Sequence, residues 1–215
     1  KLLKAIERLG NYSAYIVGGA PRDLIIGQEI NDIDIATNCP MAVLTKNFHT
    51  YELGRSTEFG TLMVMFEEIP YEVTQFRTDG DYEDGRHPKN IVTTGDFKED
   101  AKRRDFTINA MALDSDSMII DYVGGLKDLV NKIVRAVGNP VERFNEDYLR
   151  MIRAARFASR NGFSLDPATK RAARQNAHLI EEVTPDRIRL ELVKAAERSG
   201  DEFARFILLL RDMKL

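Results

Sequence analysis

The 215-residue chain has a single cysteine, Cys39, and three scattered histidines, His49, His87 and His178. A lone thiol closes no internal disulfide, and none of these residues has metal-ligand spacing, so zinc chemistry is not expected and a reducing, cytoplasmic setting is. Long apolar runs are missing as well. None approaches the ~20 residues that a membrane span needs, and the first residues carry no signal pattern; a membrane is not among the expected partners. With 14 Gly and 7 Pro among 43% apolar and 30% charged residues, collagen-like and disordered classes are excluded. The ends are unusual: the chain opens on Lys1 and stops at Leu215 inside a helical pattern, which reads as part of a longer protein.

Strong charge of one sign is absent overall, at a net −3, but the balance shifts along the chain. From Val141 onward there are fifteen Lys and Arg against twelve Asp and Glu, and before it sixteen against twenty-two. Carboxylates that bind a cation in the first part and guanidiniums that face anions in the second would produce this division; so would solvated helix faces that differ by chance.

Short strand-like and helix-like runs alternate at first. Ala14 to Val17 predicts a strand, Gly18-Gly19 a tight turn, and Pro21 to Ile26 a helix with proline in its first turn. Asp32-Ile33-Asp34-Ile35 alternates with period two, which puts both carboxylates on one face of a strand. A helix is expected over Met41 to Lys46, a hairpin over Gly60 to Phe66 and Tyr71 to Phe76 turning at Glu67 to Pro70, and a long loop over Arg77 to Lys98. Gly124-Gly125 introduces a short helix to Val130. Thereafter helices are expected over Glu146 to Asn161, Pro167 to Ile180, Pro185 to Arg198 and Asp201 to Met213, with Gly162 and Gly200 as C-terminal stops and Asp166 and Thr184 before proline starts. The boundary between a mixed first domain, 1–139, and a helical second one, 140–215, falls near Gly138 to Pro140.

Asp32 and Asp34 are the sharpest chemical feature. Neighbouring carboxylates repel unless a divalent cation lies between them and, for example, a polyphosphate. About ten residues upstream, Gly18-Gly19-Ala20-Pro21-Arg22-Asp23 offers backbone N–H groups, a guanidinium for phosphates, and Asp23 to orient it. Arg103-Arg104-Asp105-Phe106-Thr107-Ile108-Asn109 reads either as a charge-paired wall of an anion site, with Asn109 on a ribose, or as a structural salt bridge. Asp147, Arg150, Arg153, Arg156 and Arg160 recur at three- and four-residue steps, as in a base-edge reader or in an ordinary amphipathic helix. Glu72 is either a third carboxylate beside the metal or an arginine partner.

In this order, Gly-Gly-Ala-Pro-Arg-Asp, Asp32-x-Asp34, Arg-Arg-Asp-Phe-Thr-Ile-Asn and Glu146-Asp147-Tyr-Leu-Arg150-Met-Ile-Arg153-Ala-Ala-Arg156-Phe resemble the class II tRNA nucleotidyltransferases and bacterial poly(A) polymerases, from about Tyr15 to Glu197. Pro21 stands where that family more often has valine, and its members are longer, with further helical regions that grip tRNA. The resemblance implies an α+β fold: a polymerase-β-like nucleotidyltransferase head, with a mixed sheet and helices, followed by an all-helical neck. It also implies Mg²⁺ on Asp32 and Asp34, triphosphate on Gly18, Gly19 and Arg22, nucleotide on Arg103 and Arg104, and base reading by Asp147 and Arg150 with Arg153 and Arg156 nearby. The segment from Arg77 to Pro88, with Asp79, Asp84 and Arg86, resembles the flexible loop of enzymes that add the terminal A. Addition of CCA to the tRNA 3′ end from CTP and ATP is therefore the expected activity, ahead of A-only addition and poly(A) synthesis. A non-catalytic nucleotide- or RNA-binding module is the alternative of another class, and the oligomeric state is open.

Overall fold

A computed structural model describes residues 1–30, 32–52, 60–80, 91–197 and 199–215, and of Asp79, Ile91 and Asn161 the backbone alone. The order of elements is α1 (Leu2–Glu7), β1 (Ala14–Val17), α2 (Gly19–Ile25), β2 (Asp34–Thr37), α3 (Met41–Asn47), β3 (His49–Tyr51), β4 (Thr61–Phe66), β5 (Ile69–Gln75), β6 (Arg77–Asp79), β7 (Ile91–Thr93), α4 (Phe97–Lys102), β8 (Ala112–Leu113), β9 (Ile119–Ile120) and α5 (Gly125–Val130). There follow β10 (Ile133–Val134), α6 (Pro140–Glu146), α7 (Arg150–Ser159), β11 (Ser164–Leu165), α8 (Pro167–Gln175), α9 (Pro185–Ala196) and α10 (Gly200–Met213), with short 3-10 turns at Thr107–Asn109, Arg160–Gly162 and Ala177–Glu182.

Seven strands form a mixed sheet of order β3-β4-β5-β2-β1-β8-β9. Only the β2–β5 pairing in it is parallel. Alternation along the strands sends Ile35 and Val73 to one face, where they pack with Leu2, Leu3 and Ile6 of α1, Ala14, Leu44 and Val64. Val17, Ala36 and Phe76 go to the other face and meet Phe97 and Ala101 of α4 and Ala112. The β4–β5 hairpin turns over two residues, Glu67 and Glu68, with φ of 49° and 65° and closes on Phe66 opposite Ile69. Left-handed backbone at both central positions matches the twist of paired strands, so the turn is shorter than the sequence suggests and Pro70 lies within β5. Cys39 is buried and its thiol pushed up to about 11 by burial, which makes it an unreactive core residue.

The described residues divide into two units: one within 1–79, 91–104 and 109–125, and one within 80, 105–108 and 126–215. Residues 126–139 pack with the second unit because β10 pairs in parallel with β11 and Phe106 bridges Ala136. That unit is otherwise helical. The side chains of Asn139, Asp166 and Ser199 cap the first turns of α6, α8 and α10, and proline starts α6, α8 and α9.

Further sequence expectations differ from the structure, among them the helix expected to run to Ile180, which ends at Gln175 before a 3-10 turn. Strand β2 begins at Asp34, so Asp32 and the exposed Ile33 precede it. The segment expected as a loop from Arg77 opens as an antiparallel ribbon, Arg77 opposite Thr93. Helix α7 starts at Arg150, after a break in which Asp147 is extended and its carboxylate accepts from the Leu149 N–H at 3.1 Å; such a local bond competes with helix continuation. Gly200 opens α10 rather than ending α9. Asp84 and Arg86, and the side chain of Asp79, lie outside the described residues. Among the described residues no helix is long and apolar enough to cross a membrane.

Candidate active site

In the first unit, parallel pairing sets Asp34 directly beside Glu72. Both project from the sheet face that carries Ala36 and α4, because they share its alternation. Partial burial, then Asp32, pushes the Asp34 carboxyl up, against the pull of Arg104. Glu72 is raised by burial, then by Asp34 and Asp32. Charge on Asp34 and Glu72 is thus disfavoured by burial and by neighbouring carboxylates, a strain that a cation relieves. The donors are hard oxygens from two strands and the segment before β2, which fits a divalent cation such as Mg²⁺ completed by phosphate oxygens. Among the described residues no group of three or more His, Cys, Asp or Glu side chains stands close enough together to hold a metal ion, so the structure does not assemble Asp32, Asp34 and Glu72 into one three-carboxylate site.

Gly18 follows β1 with φ 76° and ψ −128°. A Cβ there would stand 3.1 Å from Asp34 Oδ2, so the backbone conformation favours glycine and a side chain would in addition push the Asp34 carboxylate aside by a few tenths of an ångström. Gly18→Ala is expected to lower stability by roughly 1–3 kcal/mol and to displace Asp34, read as a lower melting temperature together with weaker divalent-cation binding. An unchanged melting temperature would show that the turn tolerates a side chain.

Arg22 is buried. Its Nε and Nη2 donate to both oxygens of Asp23, at 2.8 and 2.7 Å, and its Nη1 donates to Asn109 Oδ1. Asp23 thus orients Arg22, as the sequence suggested, while Asn109 is a buried partner of that guanidinium. Arg103 and Arg104 both pair with Asp100. Burial alone would raise the Asp100 carboxyl, but Arg104 and Arg103 together with the Arg77 N–H hold it below the ordinary value. Sequence reading missed Asp100. Its signal is the spacing of three and four residues to the two arginines.

In the second unit, Asp105 accepts from Arg153 Nε and Nη2 at 2.9 and 2.6 Å. Arg156 donates to the buried Glu191 at 2.5 Å and stacks on the Phe157 ring at 4.3 Å. Burial, only partly offset by Glu191, lowers the Arg156 pKa. Arg187 holds both oxygens of Asp147, at 3.0 and 2.9 Å, and Arg150 donates to Glu146 and to the Arg143 carbonyl. Asp147 and Arg150, expected to share a helix, are therefore held by separate partners across a helix break. Arg187 and Glu191 are further residues that sequence reading did not single out.

The family model for the poly A polymerase head domain matches residues 14–135, more than half of the chain. The chain belongs to this family. A second model, for the probable RNA and SrmB-binding site of polymerase A, matches residues 162–215. Relatives of this poly A polymerase family protein include the CCA-adding enzyme of Limosilactobacillus reuteri, 47% identical over 90% of the chain and 47% of the relative. That of Geobacillus kaustophilus is 44% identical over the whole chain and 52% of the relative. Among solved structures, the Bacillus stearothermophilus CCA-adding enzyme in complex with CTP superimposes with a TM-score of 0.83 at 38% identity, covering 97% of this chain and 50% of that one. A tRNA nucleotidyltransferase complexed with a primer tRNA and an incoming ATP analog matches with a TM-score of 0.77 at 31% identity, over 99% and 60%. The mixed sheet with helices is thus the nucleotidyltransferase head fold, and the chain spans about half the length of the curated relatives it matches.

Proposed function

We propose that the protein containing this chain transfers nucleotides from CTP and ATP to the 3′ end of tRNA, completing CCA without a nucleic-acid template. The observation that carries this reading is the Asp34–Glu72 pairing, with Asp32 close by, on the sheet of a head whose curated relatives are CCA-adding enzymes. Asp32 and Asp34, with Glu72 beside them, would hold Mg²⁺, which when bound activates the 3′-hydroxyl and neutralises the triphosphate. The glycine backbone at Gly18 and Gly19 is the part of the turn that would approach the phosphates beside those carboxylates, and Arg22, fixed by Asp23 and Asn109, stiffens that turn. Arg103 and Arg104 supply positive charge for the nucleotide. Phosphoryl transfer is mainly alignment and charge neutralisation, so these residues act by holding the reactants in line.

Asp147 and Arg150, with Arg153 and Arg156 behind them, are proposed to read the edge of the incoming base, and the partners that fix each one support a rigid reader. The matches at 14–135 and 162–215 support a head over 1–139 and a neck over 140–215 in sequence, while by packing residues 105–108 and 126–139 go with the second unit. A cytoplasmic setting follows from tRNA as substrate. Poly(A) synthesis is the second reading, favoured by the descriptions of both family models.

Single-nucleotide-resolution extension of tRNA lacking its 3′ end, with Mg²⁺ and CTP, ATP or both, separates the products. Three added residues that need both nucleotides are expected. One A added only to CC-ended tRNA would replace this reading by A-only addition, and long A tails would replace it by the polymerase. Nucleotide binding without any extension would favour a binding module.

A further inference from the structure

Asp100 lies at full burial in the first unit, and each of its oxygens serves two donors. Oδ1 accepts from Arg103 Nε at 2.9 Å and from the Arg77 N–H at 3.2 Å. Oδ2 accepts from Arg104 Nε at 3.1 Å and Nη2 at 2.8 Å, a two-pronged grip on one guanidinium. Arg104 lies over Phe97, 5.8 Å from the ring centroid. Phe97 in turn packs with Val17 and Ala36, on the sheet face from which Asp34 projects. Among the described residues no hydrogen bond engages Arg104 Nη1.

A buried carboxylate with two arginines is a poor way to stabilise a core, because the desolvation cost approaches the gain and apolar residues of the same volume serve as well. It is an effective way to preset a guanidinium, since a two-pronged carboxylate fixes the plane and direction of the fork. We propose that Asp100 is a positioning residue for the triphosphate of the incoming nucleotide, acting through Arg104. Asp100 holds the Nε and Nη2 edge and leaves the Nη1 edge directed to phosphate oxygens. The same carboxylate ties down the first residue of β6, so the ribbon and the arginine share one anchor. This rests on the nucleotidyl-transfer reading above.

The test is a double-mutant cycle on the 215-residue chain with Asp100→Asn, Arg104→Gln and the pair, in which the dissociation constants of ATP and AMP are measured in Mg²⁺. Each single substitution is expected to weaken ATP by about tenfold or more. The pair should be no weaker than the poorer single, with AMP changed less than threefold. Multiplying effects, or equal losses for ATP and AMP, would overturn the positioning role while leaving the functional reading intact. A wild-type chain that binds neither ATP nor CTP would remove both. Should Asp100→Asn fail to fold, Arg104→Lys decides, because it keeps the charge and loses the fork. Tenfold weaker ATP at an unchanged melting temperature is expected, and unaltered ATP binding would overturn the proposal.

Discussion

Asp34→Asn is expected to reduce nucleotide transfer by about a thousandfold or more, since the contribution of a metal-held charge to the transition state is several kcal/mol. Stability should move the other way. The Asp34 carboxylate is partly buried beside Asp32 and Glu72, so removing its charge relieves both desolvation and repulsion, and the metal-free melting temperature should hold or rise slightly. Opposite signs in the two readouts separate a metal-binding carboxylate from a structural one, which would lower both. Extension rates and thermal melts of the same preparation check this; a variant that retains a tenth of the wild-type rate would remove Asp34 from the metal site.

The largest loss of stability is expected in the second unit. Glu191→Gln removes the nearest counter-charge of the buried Arg156 guanidinium and one of the carboxylates facing Arg153, and breaking one side of a buried ion pair costs about 3–5 kcal/mol. A domain of this size should then melt roughly 10 °C lower or more. Replacing both partners, Arg156→Met with Glu191→Leu, should recover most of that loss, because the cost lies in the orphaned charge rather than in the missing bond. Differential scanning calorimetry of the three proteins decides the point. A loss below about 1 kcal/mol in Glu191→Gln would show that water reaches the pair.

The features legible in the sequence were those that local chemistry determines. The β1–Gly18–α2 unit follows from an apolar run, a glycine pair and an early proline, and the β4–β5 hairpin follows from alternation. What escaped was decided by partners distant in sequence or by single local bonds. Asp147 interrupts a pattern that otherwise reads as one continuous helix, because its carboxylate bonds the Leu149 N–H and Arg187. Asp100 sits in a Lys-Glu-Asp run that looks like a solvated face, and only the packing of Phe97 and Ala101 on the sheet turns it inward. Strands β10 and β11, two residues each, are too short for periodicity to reveal. The candidate site was half legible: its carboxylates and glycines are local motifs, whereas the partners that hold its arginines come from tertiary structure.

The central claim is that the carboxylates of the head direct attack by an RNA 3′-hydroxyl on a nucleoside triphosphate. Its most direct test supplies α-labelled CTP with Mg²⁺ to two forms of tRNA lacking CCA, one ending in a 3′-hydroxyl and one in a 3′-deoxy sugar. The account predicts label joined to the hydroxyl-ended tRNA with one pyrophosphate released per residue added, and nothing joined to the deoxy form. Equal labelling of both, or pyrophosphate release that does not depend on the 3′-hydroxyl, would contradict it.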